Sequence, residues 1–162
     1  MSTRNVNKYL SDHVAIQDLI SRYTNAVNQR DWDALAAVFA KNAIWDCGDV
    51  EGFTFLFTGL SNVVSGIAGV VEPCEVCVQT IHAVVVEIDG DRATATTTVH
   101  EMARVKGGMG MNLMIGTYYD DIVRDDDSEW RFAKRTFRLT YVDVTIPAGL
   151  VATSFPLVKR PG

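Results

Sequence analysis

The feature that most constrains the fold of this chain is a change in hydrophobic period along its length. Between residues 11 and 39 the apolar residues recur at spacings of three and four, which is typical of one face of a helix. From residue 80 onward apolar and polar residues alternate, which is typical of strands. Helices followed by strands that short turns connect predict an α+β fold, with the helices gathered on one face of the sheet.

Three helices are predicted from these spacings and from residues that favour helix ends. The first buries a stripe that consists of Ile16, Ile20, Tyr23 and Val27. The residues expected to begin the three helices are Ser11 or Asp12, then Asp31, then Ser61. The second is expected to extend through Phe39 and stop at Asn42, and the third to cover residues 62 to 71 and end before Pro73.

Strands are predicted at residues 43–46, 80–88, 92–105, 112–124 and 129–142, and a short strand or loop at 53–57. Alternation in the 80–88 strand places His82 on the apolar face that also carries Val84 and Val86. In the 92–105 strand, the inward phase set by Ala93 reaches Glu101. Asp120 and Arg135 are expected to pair across neighbouring strands. Residues 143–162 have no strong period and are predicted to form a C-terminal flap or interface tail.

Composition excludes several classes of function. A length of 162 residues fits one domain, 1–162, and the net charge of -5 argues against nucleic acid as a partner. No apolar run has the length of a membrane span and no signal peptide is recognisable, so a cytoplasmic protein without a membrane partner is expected. The three cysteines are expected to be reduced, and Cys74 and Cys77 lack the further ligands of a zinc site, so no metal is predicted.

Several short motifs together resemble the SnoaL-like branch of the NTF2-like superfamily. They are Ala15-Ile16-Gln17-Asp18-Leu19 with Tyr23, Asn28-x-x-Asp31-Trp32-Asp33-Ala34-Leu35-x-x-Val38-Phe39, Asp89-Gly90-Asp91-Arg92-Ala93, Gly116-x-Tyr118-x-Asp120 and Trp130-Arg131-Phe132. The resemblance covers nearly the whole chain. It implies a cystatin-like cone, in which about three helices pack in a curved, mixed and mostly antiparallel sheet. It is specific for fold and weakly specific for activity, because one fold hosts many chemistries.

The layout is similar to scytalone dehydratase, hexachlorocyclohexane dehydrochlorinase and bile acid 7α-dehydratase, and this similarity implies a candidate site. In such lyases a His on the strand after the third helix works with an acidic residue near the end of the first helix. By this resemblance the His is His82, a Tyr that joins it is Tyr23, and the acidic position is Asn28. Asn28 is a departure, since an amide cannot supply the charge of a carboxylate.

A substitute for that carboxylate is expected on the 92–105 strand. Glu101 carries the inward phase, and a bulge that shifted the phase by one residue would bring His100 inward instead. Either group would face His82 across the cavity.

Two hypotheses of function follow from these residues. The first is a cofactor-independent lyase of the dehydratase type, or an isomerase, that acts on a small and largely apolar cyclic substrate. His82 would then be the base or acid, Tyr23 the electrophile and Asn28 the orienting residue. The second is a small-molecule-binding member of the family that lost its dyad. An accessory subunit of a ring-hydroxylating dioxygenase is a third, which the short N-terminal arm disfavours. Apolar residues on the outer sheet face predict a homo-oligomer, a trimer or a dimer.

Overall fold

The computed structural model describes residues 3–50, 53–108 and 110–147. In chain order its elements are α1 (Thr3–Gln29), α2 (Trp32–Ala37), β1 (Phe39–Val50), β2 (Phe53–Thr58), α3 (Leu60–Val71), β3 (Cys74–Asp89), β4 (Arg92–Val105), β5 (Gly110–Arg124) and β6 (Trp130–Pro147). The predicted helices and strands are therefore all present, although several begin or end at other residues than expected.

The six strands form one mixed sheet in the order β2-β1-β6-β5-β4-β3. β1 and β6 pair in parallel, and each of the other neighbouring pairs is antiparallel. The helices pack on one face of this sheet, where the stripe of α1 is fully buried. Each apolar side chain removed from water contributes about 1.5–3 kcal/mol to the free energy of folding. The predicted α+β class and the mostly antiparallel mixed sheet are confirmed.

The first helix begins at Thr3, so the prediction that Ser11 or Asp12 caps it is wrong. Asp12 instead lies inside the helix, where it is buried and forms two ion pairs. Its carboxylate is 2.7 Å from the Lys8 amine and 2.5 Å from the Arg124 guanidinium of β5. Burial alone would raise the pKa of Asp12, but the hydrogen bonds from Lys8 and Arg124 outweigh burial and lower this pKa. A residue that local sequence suggested as a cap thus joins α1 to the sheet.

The second helix shows which local signals were sufficient. Asp31 caps α2 as predicted, since its carboxylate accepts a hydrogen bond from the Ala34 N–H at 2.9 Å. The helix ends at Ala37, so the predicted stop at Asn42 is wrong. Strand pairing ends it earlier, because Phe39 already pairs with Phe132 of β6.

The third helix begins at Leu60, two residues before the predicted range. Gly59 is its N-cap residue, with a φ of 86°, and it has no side chain that could bond to the helix. The prediction that Ser61 caps α3 is therefore wrong. The end of the helix at Val71, before Pro73, agrees with the prediction.

The end of the chain is described as far as Pro147. Strand β6 includes residues 143–147, which were expected to belong to a flap. The rest of the predicted flap, residues 148–162, lies outside the described residues. Among the helices that the structure describes, none is both long and apolar enough to span a membrane.

Candidate functional site

A cavity of about 290 Å³ lies between the helices and the inner face of the sheet. Its wall is mostly apolar and aromatic, and its polar members come from α1, β3, β4 and β5. They are Tyr23, Gln79, Glu101, Asn112 and Tyr118. Exposed residues such as Val70, Val105 and Asn112 mark the mouth. Since a dry cavity of about 150 Å³ accepts benzene, this one has room for a substituted ring or two fused rings.

A bulge in β3 determines which side chains enter the cavity. Ile81 pairs with Val99 and Val84 pairs with Thr97, so two residues of β3 lie opposite one residue of β4. His82 is one of these two residues, and its side chain is exposed. The expectation that His82 shares a face with Val84 is wrong, because the extra residue reverses the alternation at this point. His82 does not line the cavity.

Ordinary alternation along β4 separates its two candidate groups, because no bulge interrupts its pairing with β5. Glu101 lines the cavity, and its neighbour His100 lies on the opposite face of the sheet. The His82 and His100 rings approach each other there, with centroids 6.0 Å apart. Of the alternatives left open by the sequence, the structure therefore brings Glu101 to the cavity, together with Tyr23, and places both imidazoles outside.

Gln79, and not His82, is the residue of β3 that lies beside Glu101 in the cavity wall. It is cross-strand partner to Glu101, and its side-chain N–H donates to the Glu101 carboxylate at 2.7 Å. Its other amide atom, Oε1, is buried and has no hydrogen-bond partner among the described residues. Sequence reasoning missed Gln79 because an uninterrupted alternation from His82 backward assigns residue 79 to the outer face.

Asn28 binds the backbone of Gln79 and not an imidazole. Its side-chain N–H donates to the Gln79 carbonyl at 2.9 Å, and its Oδ1 accepts from the Gln79 N–H at 2.7 Å. The amide of Asn28 thus satisfies both polar groups of one residue of β3, as a neighbouring strand would. It fixes the end of α1 to β3 beside the cavity.

Glu101 is the titratable carboxyl of the cavity wall. Burial raises the pKa of Glu101, and the hydrogen bond from Gln79 lowers it by less. A carboxyl with such a pKa is a stronger base than an exposed one, which suits proton transfer near neutral pH.

Two tyrosine hydroxyls lie in the same cavity. The Tyr23 and Tyr118 hydroxyl oxygens are 3.4 Å apart. Burial raises the pKa of both phenols, which keeps them protonated and able to donate hydrogen bonds. The Arg135 guanidinium lies over both rings, 4.0 Å from the Tyr23 centroid and 3.9 Å from the Tyr118 centroid. Its charge opposes the effect of burial on the pKa of each phenol and would stabilise negative charge nearby.

Arg135 forms a buried ion pair with Asp120, as the sequence predicted. The two side chains are both 0% exposed, with Arg135 Nε 3.5 Å from Asp120 Oδ1. Tyr118 and Arg135 were not among the predicted site residues. The alternation of Gly116, Tyr118 and Asp120 in one motif was the signal that all three share the inner face.

The cysteine side chains also border the cavity, without the geometry of a reactive or metal-binding site. Burial raises the pKa of Cys47 and of Cys77 to about 12, so both remain thiols. Within the described ranges, no group of three or more metal-ligating side chains is close enough together to hold an ion.

Comparisons with known proteins agree with this arrangement of helices on a mixed sheet, which is an NTF2-like, cystatin-like fold. One solved structure described in those words, from Novosphingobium aromaticivorans, superimposes with a TM-score of 0.68 at 20% identity, over 85% of this chain and 90% of that one. The SnoaL-like domain model matches residues 8–136, and the chain therefore belongs to the SnoaL-like family.

Individual relatives show how far this likeness extends. An uncharacterised protein of Mycobacterium tuberculosis is 28% identical over 127 residues, 78% of this chain and 84% of its own length. A type 2 hexachlorocyclohexane dehydrochlorinase has a TM-score of 0.79 at 20% identity, covering 91% of this chain and 97% of that chain. A candidate scytalone dehydratase of N. aromaticivorans has a TM-score of 0.75 at 18% identity, covering 90% and 99%. At these identities the structural matches establish the fold alone.

Proposed function

We propose that the protein is a cofactor-independent lyase or isomerase that transfers a proton on a small, largely apolar ring compound. The observation that supports this most is the convergence of Glu101, Tyr23 and Tyr118 on one apolar cavity. Names of structural neighbours point the same way, since they include a dehydrochlorinase and a candidate dehydratase, both of which would carry out eliminations. In this proposal Glu101 takes the role of base that the sequence suggested for His82.

The proposed reaction begins at a carbon next to a carbonyl group of the substrate. Glu101 removes a proton from that carbon, and the electrons of the C–H bond move toward the carbonyl oxygen. The Tyr23 and Tyr118 hydroxyls donate hydrogen bonds to this oxygen as it becomes negative, which is the role a Tyr has in ketosteroid isomerase. Arg135, which lies over both tyrosine rings, stabilises the same charge.

The fate of the enolate decides between the two reactions. In an isomerisation, Glu101 returns the proton to another carbon of the conjugated system. In an elimination, the C–O or C–Cl bond at the neighbouring carbon breaks as the C=C bond forms. A leaving hydroxide then takes the proton from Glu101 and departs as water, and a leaving chloride departs as the ion, with the proton passing to solvent.

Exchange of α-protons for deuterium tests the first step without knowledge of the substrate. Indanone, a fused-ring ketone small enough for the cavity, is incubated with the protein in D₂O and followed by NMR. We expect Glu101→Gln to slow exchange at least about 100-fold, the usual contribution of a general base. Tyr23→Phe is expected to slow it about 10-fold or more. Glu87→Gln, an exposed carboxyl on β3, is the matched control. Exchange that Glu101→Gln leaves intact would refute the proposal.

A second candidate function is small-molecule binding without chemistry. Amide side chains favour it, because Asn28 stands at the acidic position of the expected dyad and Gln79, not His82, lines the cavity from β3. Binding of indanone without any exchange above the solvent rate would support this alternative.

We also propose that the chain forms a dimer or trimer through the outer face of the sheet. Large apolar side chains are exposed there, among them Val85 at 61%, Tyr119 at 52% and Met102 at 41%. Monomeric proteins rarely expose a large contiguous patch of such side chains. Light scattering coupled to gel filtration measures the mass, and a monomer at high concentration would contradict this proposal.

A further inference from the structure

We propose that Gln79 positions the base and selects the ligand: its Nε2 holds the Glu101 carboxylate, and its Oε1 accepts a hydrogen bond from a hydroxyl or N–H group on the ligand. This inference rests on the proposed function for the role of Glu101.

The orientation of the Gln79 amide is fixed by its neighbours. Asn28 holds the backbone N–H and carbonyl of Gln79, at 2.7 and 2.9 Å. Nε2 of Gln79 lies 2.7 Å from Glu101 Oε2. Rotating the amide by 180° would bring its oxygen against the carboxylate, and this contact is unfavourable because both groups are hydrogen-bond acceptors. The hydrogen bonds from Asn28 to Gln79 and from Gln79 to Glu101 therefore fix the position of the base relative to α1.

The remaining amide oxygen is an acceptor that the protein itself leaves unpaired. Gln79 is only 7% exposed and lines the cavity. Its Oε1 is almost inaccessible and has no hydrogen-bond partner among the described residues, so a ligand donor reaches it only with an adjustment of the cavity wall. A buried acceptor without a donor is costly, and a ligand that supplies the donor removes that cost. The donor would lie beside Glu101, because Nε2 and Oε1 belong to one planar group.

Three probes of similar shape isolate the donor. Hydroxyindanone carries a hydroxyl group, methoxyindanone carries an ether of larger size without the donor, and indanone carries neither. Dissociation constants are measured by NMR titration of the complete chain, so no turnover is required. We expect hydroxyindanone to bind about tenfold more tightly than methoxyindanone, the effect of one hydrogen bond. We expect Gln79→Met to reduce this preference to about twofold or less.

The positioning role has its own measurement. The hydrogen bond from Gln79 favours the ionised form of Glu101, so its loss is expected to move the acid limb of the pH–rate profile for indanone exchange to higher pH. A merely structural Gln79 would lower stability without moving this limb or the donor preference. Gln17→Met, at an exposed position of α1, is the matched control. Should Gln79→Met fail to fold, the comparison of probes on the unaltered protein still decides the ligand feature.

Different results would contradict the role of Gln79 and the proposed function. Equal affinities of the native protein for hydroxyindanone and methoxyindanone would overturn the inference, as would a preference that survives Gln79→Met. A clear hydroxyl preference without any α-proton exchange would refute the proposed function and leave ligand selection by Gln79 standing. Exchange that depends on Glu101, without a hydroxyl preference, would refute ligand selection by Gln79 and leave the proposed function standing.

Discussion

Replacing Asp120 by Asn measures what the buried ion pair beneath the cavity costs in free energy. Asp120 and Arg135 are both 0% exposed, and their closest atoms are 3.5 Å apart. Burial raises the pKa of Asp120 from 3.8 to about 6, although the charge of Arg135 opposes this rise. The folded protein thus binds the Asp120 proton more tightly than the unfolded chain does. Stability must depend on pH for this reason.

The sign and size of that dependence follow from the two pKa values. Below the unfolded pKa of 3.8 both states carry the proton, and the raised pKa costs nothing. Between 3.8 and about 6 the unfolded chain has lost the proton that the folded protein still holds, so stability falls as the pH rises, and the fall is complete just above about 6. At about 1.4 kcal/mol for each pH unit between the two pKa values, the loss reaches about 3 kcal/mol at pH 7.

The assay compares the free energy of unfolding of the native protein and of Asp120→Asn in urea at pH 4 and pH 7. Contributions from all other carboxyl groups cancel in the difference between the two proteins. We expect the native protein to lose about 2.4 kcal/mol relative to the variant between these pH values, because at pH 4 part of the full loss has already occurred. A difference that stays constant, or that changes in favour of the native protein, would refute the reasoning.

An exposed carboxyl provides a control of opposite sign. The hydrogen bond from Arg131 lowers the pKa of Asp127 to about 2. Its contribution to stability is therefore present above the unfolded pKa and is lost as the pH falls toward about 2. Between pH 2 and pH 4 the native protein is expected to gain stability relative to Asp127→Asn.

Two further substitutions test contacts of the fold near the cavity. Asn28→Asp is expected to destabilise the protein by about 1–3 kcal/mol at pH 7, because a carboxylate cannot donate to the Gln79 carbonyl. Urea unfolding measures this loss, and an unchanged stability would contradict the contact between α1 and β3. Gly66→Ala is expected to lower the free energy of unfolding by about 1–3 kcal/mol, measured by thermal unfolding, because the new Cβ would lie 2.7 Å from the Phe57 ring. Gly69→Ala is its control, because nothing lies within 4 Å of the new Cβ there.

The sequence by itself determined the elements that depend on local signals. Asp31 caps α2 because its carboxylate reaches an N–H three residues away, and Gly90 adopts a φ of 62° in the predicted hairpin between β3 and β4. The inward phase of β4 was also predicted, since no bulge interrupts that strand between Ala93 and Glu101 in its pairing with β5. These features need only contacts between residues close together in the chain.

Tertiary structure alone decided the residues of the site that lie on β3. The bulge between Ile81 and Val84 depends on pairing with β4, and one extra residue exchanges the two faces of a strand. Gln79 enters the cavity for this reason and His82 does not. The partner of Asn28 was equally beyond local sequence, because it lies 51 residues away. Periodicity shows that a strand has an inner face, but only the register against its neighbours shows which residues occupy it.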